Sequence, residues 1–382
     1  MRIEFYRHSI DENDIKRVNE ILNSIFITTG DVVRDFENEF GAYLGIKNII
    51  GVTSCTAALQ LSLLAWGIGG GDEVITTPMS FCATANSILH VGATPVFVDV
   101  EESTGNINAE LIESKITGKT KAILPVHLYG QMCDMKKIRE IADRFRLVVI
   151  EDAAHCIEGV RDSFKVGQLG NAACFSFYAT KNITSGEGGA VATNDFDKAE
   201  LLRMLRLHGI DKSAADRYTK KYQHWDMSVM GWKYNMDNIQ AALLLGQLKR
   251  IDKLWRRRDE ICRRYEDAFG SLKEIELMKT FPNSRHARHL FTIQVPEEIR
   301  DSMLIALQEK GIGVAVNYRA IHLLKYYREK FGYKEGDFPV SEKIGNRTIS
   351  IPLYPKLTDA EVNYVINTIN NVISEGLWVI GH

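Results

Sequence analysis

From residue 48 to about residue 195 the chain repeats one unit, a short β-branched or apolar run followed by a helical pattern. The runs are Asn48 to Thr53, Glu73 to Pro78, Thr94 to Asp99, Lys121 to Val126 and Leu147 to Asp152. Such alternation predicts βα units wound around a mostly parallel sheet. The runs carry apolar residues on both faces, as expected when helices cover both sides of the sheet. Small and polar residues gather just beyond the carboxyl ends of these runs, at Ser54 to Thr56, Ser80 and Phe81, Asp152 to His155, and Lys181. In open α/β sheets that edge is where ligands bind.

The sequence is long enough for a second unit. At 382 residues with 45% apolar content it predicts two domains. The expected large α/β domain covers residues 1–250, with a helix at about 11–24 packing on the small domain. The expected small α+β domain covers 251–382. A helix of about 30 residues, Asp237 to Phe269, is predicted to carry the chain between them, with an apolar face and a charged face. Beyond it, Leu290 to Val295, Gly311 to Asn317 and Arg347 to Pro352 look like strands separated by two helices, with a last helix from Asp359.

Charge and cysteine content exclude several classes. Lys and Arg (47) nearly balance Asp and Glu (49), so there is no electrostatic footprint for nucleic acid or an anionic membrane. Small molecules and other protein chains are the expected partners. No apolar run approaches the roughly 20 residues of a membrane span, and the first residues lack a signal-peptide core, so a cytoplasmic location is expected. Cysteines 55, 82, 133, 156, 174 and 262 form no CysxxCys spacing, which predicts reduced thiols and no metal site.

Lys181 ends an apolar and aromatic run, where a cation is costly to desolvate and calls for a partner or a covalent role. Asp152 closes a strand, and a carboxylate there suits a metal, a helix cap or a protonated heterocycle. Glu151 points to the opposite face and His155 alone completes no metal site. A carboxylate against a pyridine nitrogen would keep that nitrogen protonated, which makes pyridoxal phosphate (PLP) an effective electron sink. Lys181 and Asp152 together therefore suggest a PLP Schiff base. His155 either lies over such a ring or packs in the core. Residues 53–60 put small hydroxyl residues at a strand end ahead of a helix, which suits a phosphate on backbone amides or an ordinary N-cap by Ser54 or Thr56. Gly67 to Glu73 precedes a strand and reads as a turn, not a nucleotide loop.

Five stretches, residues 53–59, 69–86, 152–155, 176–189 and 231–243, strongly resemble the DegT/DnrJ/EryC1/StrS family of PLP-dependent nucleotide-sugar aminotransferases, in order and over nearly the whole chain. The resemblance implies fold type I and a transamination from an amino acid, expected to be L-glutamate, to a nucleotide-linked keto sugar, expected to be a 4-keto-6-deoxy hexose. It implies that Lys181 forms the internal aldimine, with a pyridoxamine phosphate intermediate, and that Asp152 meets the pyridine nitrogen. Ser176, Cys55 and Thr56 would hold the cofactor phosphate, and Phe81 would lie against the ring, a core phenylalanine being the alternative. The family often has glycine at position 55.

Lys233, Tyr234 and Asn235 match a subset of the family in which the asparagine reaches the cofactor phosphate of the other subunit, so the resemblance implies a homodimer with shared active sites. Lys233 is a candidate for the phosphate or the substrate, or is a surface lysine. Arg319 and His322 are candidates for the sugar diphosphate, and Thr28 and Gly30 for the cleft wall. Two alternatives remain within the family: a sugar dehydratase, whose lysine is replaced by histidine, and an aminocyclitol or aromatising relative. A non-catalytic sensor on the same fold is the third.

Overall fold

The computed structural model describes residues 1–211, 224–374 and 376. Helices α1 (Glu12–Leu22) and α2 (Asp31–Leu44) precede β1 (Asn48–Val52), α3 (Cys55–Ala65), β2 (Glu73–Thr76), α4 (Ala83–His90) and β3 (Thr94–Phe97). The chain continues through α5 (Ala109–Ile112), β4 (Thr120–Leu124), α6 (Met135–Phe145), β5 (Val148–Asp152), a hairpin of β6 (Val160–Arg161) and β7 (Phe164–Lys165), β8 (Ala172–Ser176), β9 (Gly189–Thr193) and α7 (Phe196–Leu205).

The central sheet has seven strands in the order β1-β9-β8-β5-β4-β2-β3. All neighbours are parallel except β9, which runs antiparallel to both β1 and β8. This is the mostly parallel α/β sheet expected, with the five predicted runs as strands β1 to β5. Alternating residues of each strand feed two cores, one on each face. Ile49 and Phe175 join Phe36, Phe40 and Phe177 under α2. Ile50, Val52 and Val191 join Leu59 and Leu202 under α3 and α7.

The predicted 30-residue helix is two helices, α8 (Asn238–Lys249) and α9 (Ile251–Phe269), broken at Arg250 (φ −111°, ψ 11°). The guanidinium of Arg250 is pulled toward the N-terminal segment, where it grips the buried Asp14 carboxylate and the Ser9 carbonyl. Asp14 belongs to a capping box with Asp11 that starts α1. Helix α1 thus packs on α8 of the large α/β unit rather than on the smaller unit. Gly246 makes this possible, because a Cβ there would sit 2.0 Å from Asp14 Oδ1. Periodicity alone could not reveal the break, since apolar spacing runs straight through it.

The C-terminal unit holds a three-stranded antiparallel sheet, β10 (Glu276–Leu277), β12 (Phe291–Gln294) and β13 (Thr348–Ile351), packed on α9, α10 (Glu297–Glu309) and α13 (Asp359–Ser374). Strand β11 (Ser284–Arg285) leaves this unit to pair with β6. Helices α11 (Lys325–Phe331) and α12 (Pro339–Arg347) complete it. The strand expected at 311–317 is an extended segment making only single bridges, Ile312 to Ile3 and Ala315 to Ser350. It is wedged between the N-terminal segment and the sheet edge, and the third strand is β10 instead. Among the described residues no helix is long and apolar enough to cross a membrane, and all six cysteines are unpaired.

The two units are joined through a buried ion pair. Glu158, after β5, meets Arg258 on α9, with side chains 0% and 2% exposed. Arg258 Nε also donates to the Arg288 carbonyl at 3.0 Å. Removing one partner strands the other charge in a low-dielectric setting, at a cost of about 3–5 kcal/mol. Glu158→Ala should therefore lower unfolding free energy by about that amount in denaturant titrations, whereas Glu158→Leu combined with Arg258→Met should recover most of it.

Candidate active site

The carboxyl ends of β1, β5 and β8 converge on one cavity of about 570 Å³, into which the small unit contributes Asn317 and Tyr318 and the N-terminal segment contributes Phe5. Of the residues singled out in the sequence, Cys55, Thr56, Phe81, Asp152, His155, Ser176 and Lys181 line it. Asp152, His155, Ser176 and Cys55 are each less than a tenth exposed, and Phe81 is 58% exposed at the mouth.

Lys181 sits in the turn between β8 and β9. Its amide donates to Tyr178 O at 2.9 Å, and the turn closes through Ser185 N to Phe177 O at 3.0 Å. Gln247 on α8 braces it from behind, accepting from Thr184 N at 3.1 Å and donating to Thr184 O at 2.7 Å. The adjacent Asn182 donates to Glu158 Oε2 at 2.7 Å and Ala287 O at 3.0 Å. Desolvation brings the Lys181 ammonium down to about 8, against the opposing pull of Cys55 and Asp152. Burial raises the Asp152 carboxyl, opposed by hydrogen bonds from Thr84 Oγ1 (2.8 Å) and Ala154 N (3.1 Å) and by Lys181. Each charge is thus more costly than in water, and the two attract each other too weakly to cancel that cost.

Helix α3 aims its N-terminus into the cavity. Ser54 caps it by accepting from Ala57 N at 3.1 Å, and the Ala58 amide bonds Ser54 O. The helix itself supplies no acceptor for the amides of Cys55 and Thr56, and the helix dipole favours negative charge at this end. The N-cap reading of this stretch is met by Ser54, whose cap leaves the Cys55 and Thr56 amides to other acceptors. Gly189 lets β9 approach this turn, because a Cβ there would lie 2.4 Å from the Ser54 carbonyl carbon.

His155 is neutral in its buried position, its pKa well below normal through burial and the nearby Lys181. Its Nδ1 lies 3.2 Å from the Tyr129 amide, and its Nε2 lies 3.1 Å from the Tyr318 hydroxyl. Its ring also lies 4.3 Å from that of His289. Glu151 indeed faces away from Asp152. It is buried against His127 Nε2 (2.8 Å) and the amides of Gly167 and Gly170.

Several candidates do not reach the cavity. His322 is wholly buried, bonded to Glu342 Oε1 at 2.9 Å and packed on Phe338. Glu342 also accepts the Gly336 and Phe338 amides, so this pair ties down a loop instead of meeting a ligand. Arg319 is exposed outside the cavity, and the Thr28 carbonyl accepts from Asn238 N at the start of α8. Gly30 is the N-cap of α2. Lys233 bonds the Asn235 side-chain oxygen, and Asn235 Nδ2 donates to Thr29 Oγ1 at 2.6 Å; neither lines this chain's own cavity. Thr84, Asn317 and Tyr318 were missed in the sequence. Thr84 lies one helical turn after Ser80, and Asn317 and Tyr318 directly precede Arg319, but no local pattern separates them from their neighbours.

A cavity that pairs an uncharged-prone lysine with a buried carboxylate and a helix N-terminus suits a phosphorylated heterocycle bearing a carbonyl. The comparisons agree with it. A family model described as the DegT/DnrJ/EryC1/StrS aminotransferase family matches residues 8–370. The chain is 43% identical over 370 residues to the spore coat polysaccharide biosynthesis protein SpsC of Bacillus subtilis (strain 168), covering 95% of each chain. Among solved structures, Spr1654 from Streptococcus pneumoniae in its PMP form matches with a TM-score of 0.93 and 31% identity, over 98% of this chain and 100% of that one; a PLP form matches at 0.92. PseC of Helicobacter pylori, an aminotransferase involved in the biosynthesis of pseudoaminic acid, matches with a TM-score of 0.91 and 28% identity over 98% and 100%. The chain belongs to the DegT/DnrJ/EryC1/StrS family and is a PLP-dependent sugar aminotransferase.

Proposed function

We propose that this enzyme takes an amino group from L-glutamate and delivers it to a nucleotide-linked 4-keto-6-deoxy hexose, acting as a homodimer in which each active site borrows Asn235 of the partner subunit. The observation that carries the reading is Lys181 and Asp152 lining one cavity with the N-terminus of α3. The residues present fit PLP: Asp152 for the ring nitrogen, the Cys55 and Thr56 amides with the Ser176 hydroxyl for the phosphate, Phe81 and His155 for the ring, and Lys181 for the carbonyl. When bound, PLP carries the amino group between the two substrates and serves as the electron sink.

The chain's own residues do the rest. Lys181 Nζ, brought down to about 8, is neutral part of the time near neutral pH and can accept and return the proton at the substrate carbon. Asp152 moves no proton. Its carboxylate, oriented by Thr84 and the Ala154 amide, stabilises positive charge at the ring nitrogen. Lys181 stands where hydroxyl-removing dehydratases resembling this chain carry histidine, which favours amine transfer. The sugar assignment is supported by the likeness to SpsC, a polysaccharide biosynthesis protein, and to PseC, an aminotransferase involved in the biosynthesis of pseudoaminic acid.

The shared site is supported by Asn235 pointing to Thr29 instead of its own cavity. The segments leading to Thr29 and Asn235 also carry Ile25 and Met230, 94% and 78% exposed. Apolar side chains so exposed favour cover by another chain.

Four outcomes follow. The pyridoxamine form, incubated with a panel of nucleotide keto sugars, should regain the PLP absorption band with a 4-keto-6-deoxy sugar; recovery only with an amino cyclitol or a keto acid would refute the sugar reading. Lys181→Ala should lose the PLP–lysine absorption band, with turnover reduced by at least about 10³-fold because nucleophile and proton carrier vanish together. In the cofactor-free protein, acylation of Lys181 should titrate near pH 8 rather than 10.5, read by mass spectrometry across a pH series. By the same shift the unfolded chain holds more protons than the folded one between those values, so the lysine's contribution to apo-protein stability should rise with pH across that window.

A further inference from the structure

Beside His155, the cavity lining contains two polar groups with unspent hydrogen-bonding capacity. His155 Nδ1 lies 3.2 Å from the Tyr129 backbone N–H and must accept from it. A neutral imidazole with an accepting Nδ1 carries its proton on Nε2. That Nε2–H faces the Tyr318 hydroxyl at 3.1 Å, so the tyrosine oxygen is the acceptor there. The tyrosine's own proton therefore cannot point back at His155 and is left for another acceptor. Burial and the nearby Asp152 carboxylate hold the phenol in its protonated form, against a hydrogen bond that its oxygen accepts from the Asn317 side chain. The chain of bonds is thus polarised in one direction, from the Tyr129 amide through His155 to Tyr318, and Tyr318 lines the cavity.

Asn317 supplies the complementary group. Its side-chain oxygen is buried with no hydrogen-bond partner among the described residues, and the residue lines the same cavity. Its backbone is fixed by Tyr129, whose hydroxyl donates to the Asn317 carbonyl. Tyr129 therefore anchors both groups, one through its amide and one through its hydroxyl. A buried, unpaired acceptor is costly and calls for a donor from outside the chain.

We propose that Tyr318 and Asn317 together recognise one hydroxyl of the sugar substrate, Tyr318 donating to it and Asn317 accepting from it, and so select which keto sugar is aminated. A hydroxyl both donates and accepts, whereas a keto oxygen or a phosphate oxygen would leave Asn317 unpaired. A site built this way rejects an analogue lacking the hydroxyl, because its own buried groups are then stranded. The proposal rests on the nucleotide keto-sugar reading above and names the contact that reading lacked.

The test measures the two half-reactions separately on the holoenzyme, using L-glutamate for one and dTDP-4-keto-6-deoxyglucose and its UDP counterpart for the other. Tyr318→Phe and Asn317→Ala should each lower kcat/KM for the keto sugar by about 10- to 100-fold, and the glutamate half-reaction should fall by a clearly smaller factor, since Tyr318→Phe also takes the acceptor from His155 Nε2. The double variant should be scarcely worse than the more damaged single one, since both residues serve one hydroxyl. Asn317→Ser supplies the same comparison should the alanine variant not fold. An unchanged sugar half-reaction, an equal loss in both half-reactions, or losses that multiply in the double variant would each overturn the proposal. A wild-type enzyme that responds to no keto sugar would instead sink the sugar reading, and this proposal with it.

Discussion

The rest of the active site depends on one energetic fact: Lys181 and Asp152 are both held where their charged forms are disfavoured by desolvation. The sheet edge does this by surrounding them with apolar strands and covering the mouth with Phe81 and Tyr318. A lysine in water is almost wholly protonated at neutral pH and useless as a nucleophile. Here the ammonium is brought down to about 8, so a usable fraction of free amine exists without any dedicated base. Asp152 resists the same desolvation through Thr84 and the Ala154 amide. The cofactor would complete the balance, its ring nitrogen giving the carboxylate a cationic partner and its phosphate meeting the amides at α3.

The lysine turn is also tied to the second unit. Asn182, next to Lys181, is held by Glu158 and by the Ala287 carbonyl, and its oxygen lies 3.1 Å from His289 Nδ1. With both amide hydrogens spent, Asn182 accepts from His289, whose ring lies against His155. Glu158 in turn holds Arg258 on α9. Lys181 and His155 are thus referenced to the same small-unit framework that presents Asn317 and Tyr318. Small displacements between the units would misalign cofactor and substrate contacts together, which is why a buried ion pair is tolerable at this junction.

Much of this was legible in the sequence, for identifiable reasons. Strands β1 to β5 were readable because each is apolar on both faces and bounded by turn residues, and residues at strand ends fall at the ligand edge by topology alone. Lys181 stood out because a cation is rare in such a run. The break at Arg250 was invisible because it arises from a tertiary contact with Asp14 while the apolar periodicity continues through it. The segment 311–317 looked like a strand by composition, but its edges are taken by the N-terminal segment and β13 one residue at a time. His322 drew attention as a histidine in the small domain, yet its environment is a closed aromatic cluster with Glu342. Its neighbours Asn317 and Tyr318 face the cavity instead. Which side of a loop faces a ligand depends on packing against His155 and Tyr129, more than 160 residues away in the chain.

The amine that the cofactor engages identifies the catalytic cavity. Reducing the PLP-loaded enzyme with borohydride fixes that linkage, and proteolysis with mass spectrometry then locates it. The pyridoxyl group should be found on Lys181 alone, in the peptide spanning the turn between β8 and β9. A label on Lys233 or on any other lysine, with Lys181 unmodified, would contradict the assignment of this cavity as the catalytic site.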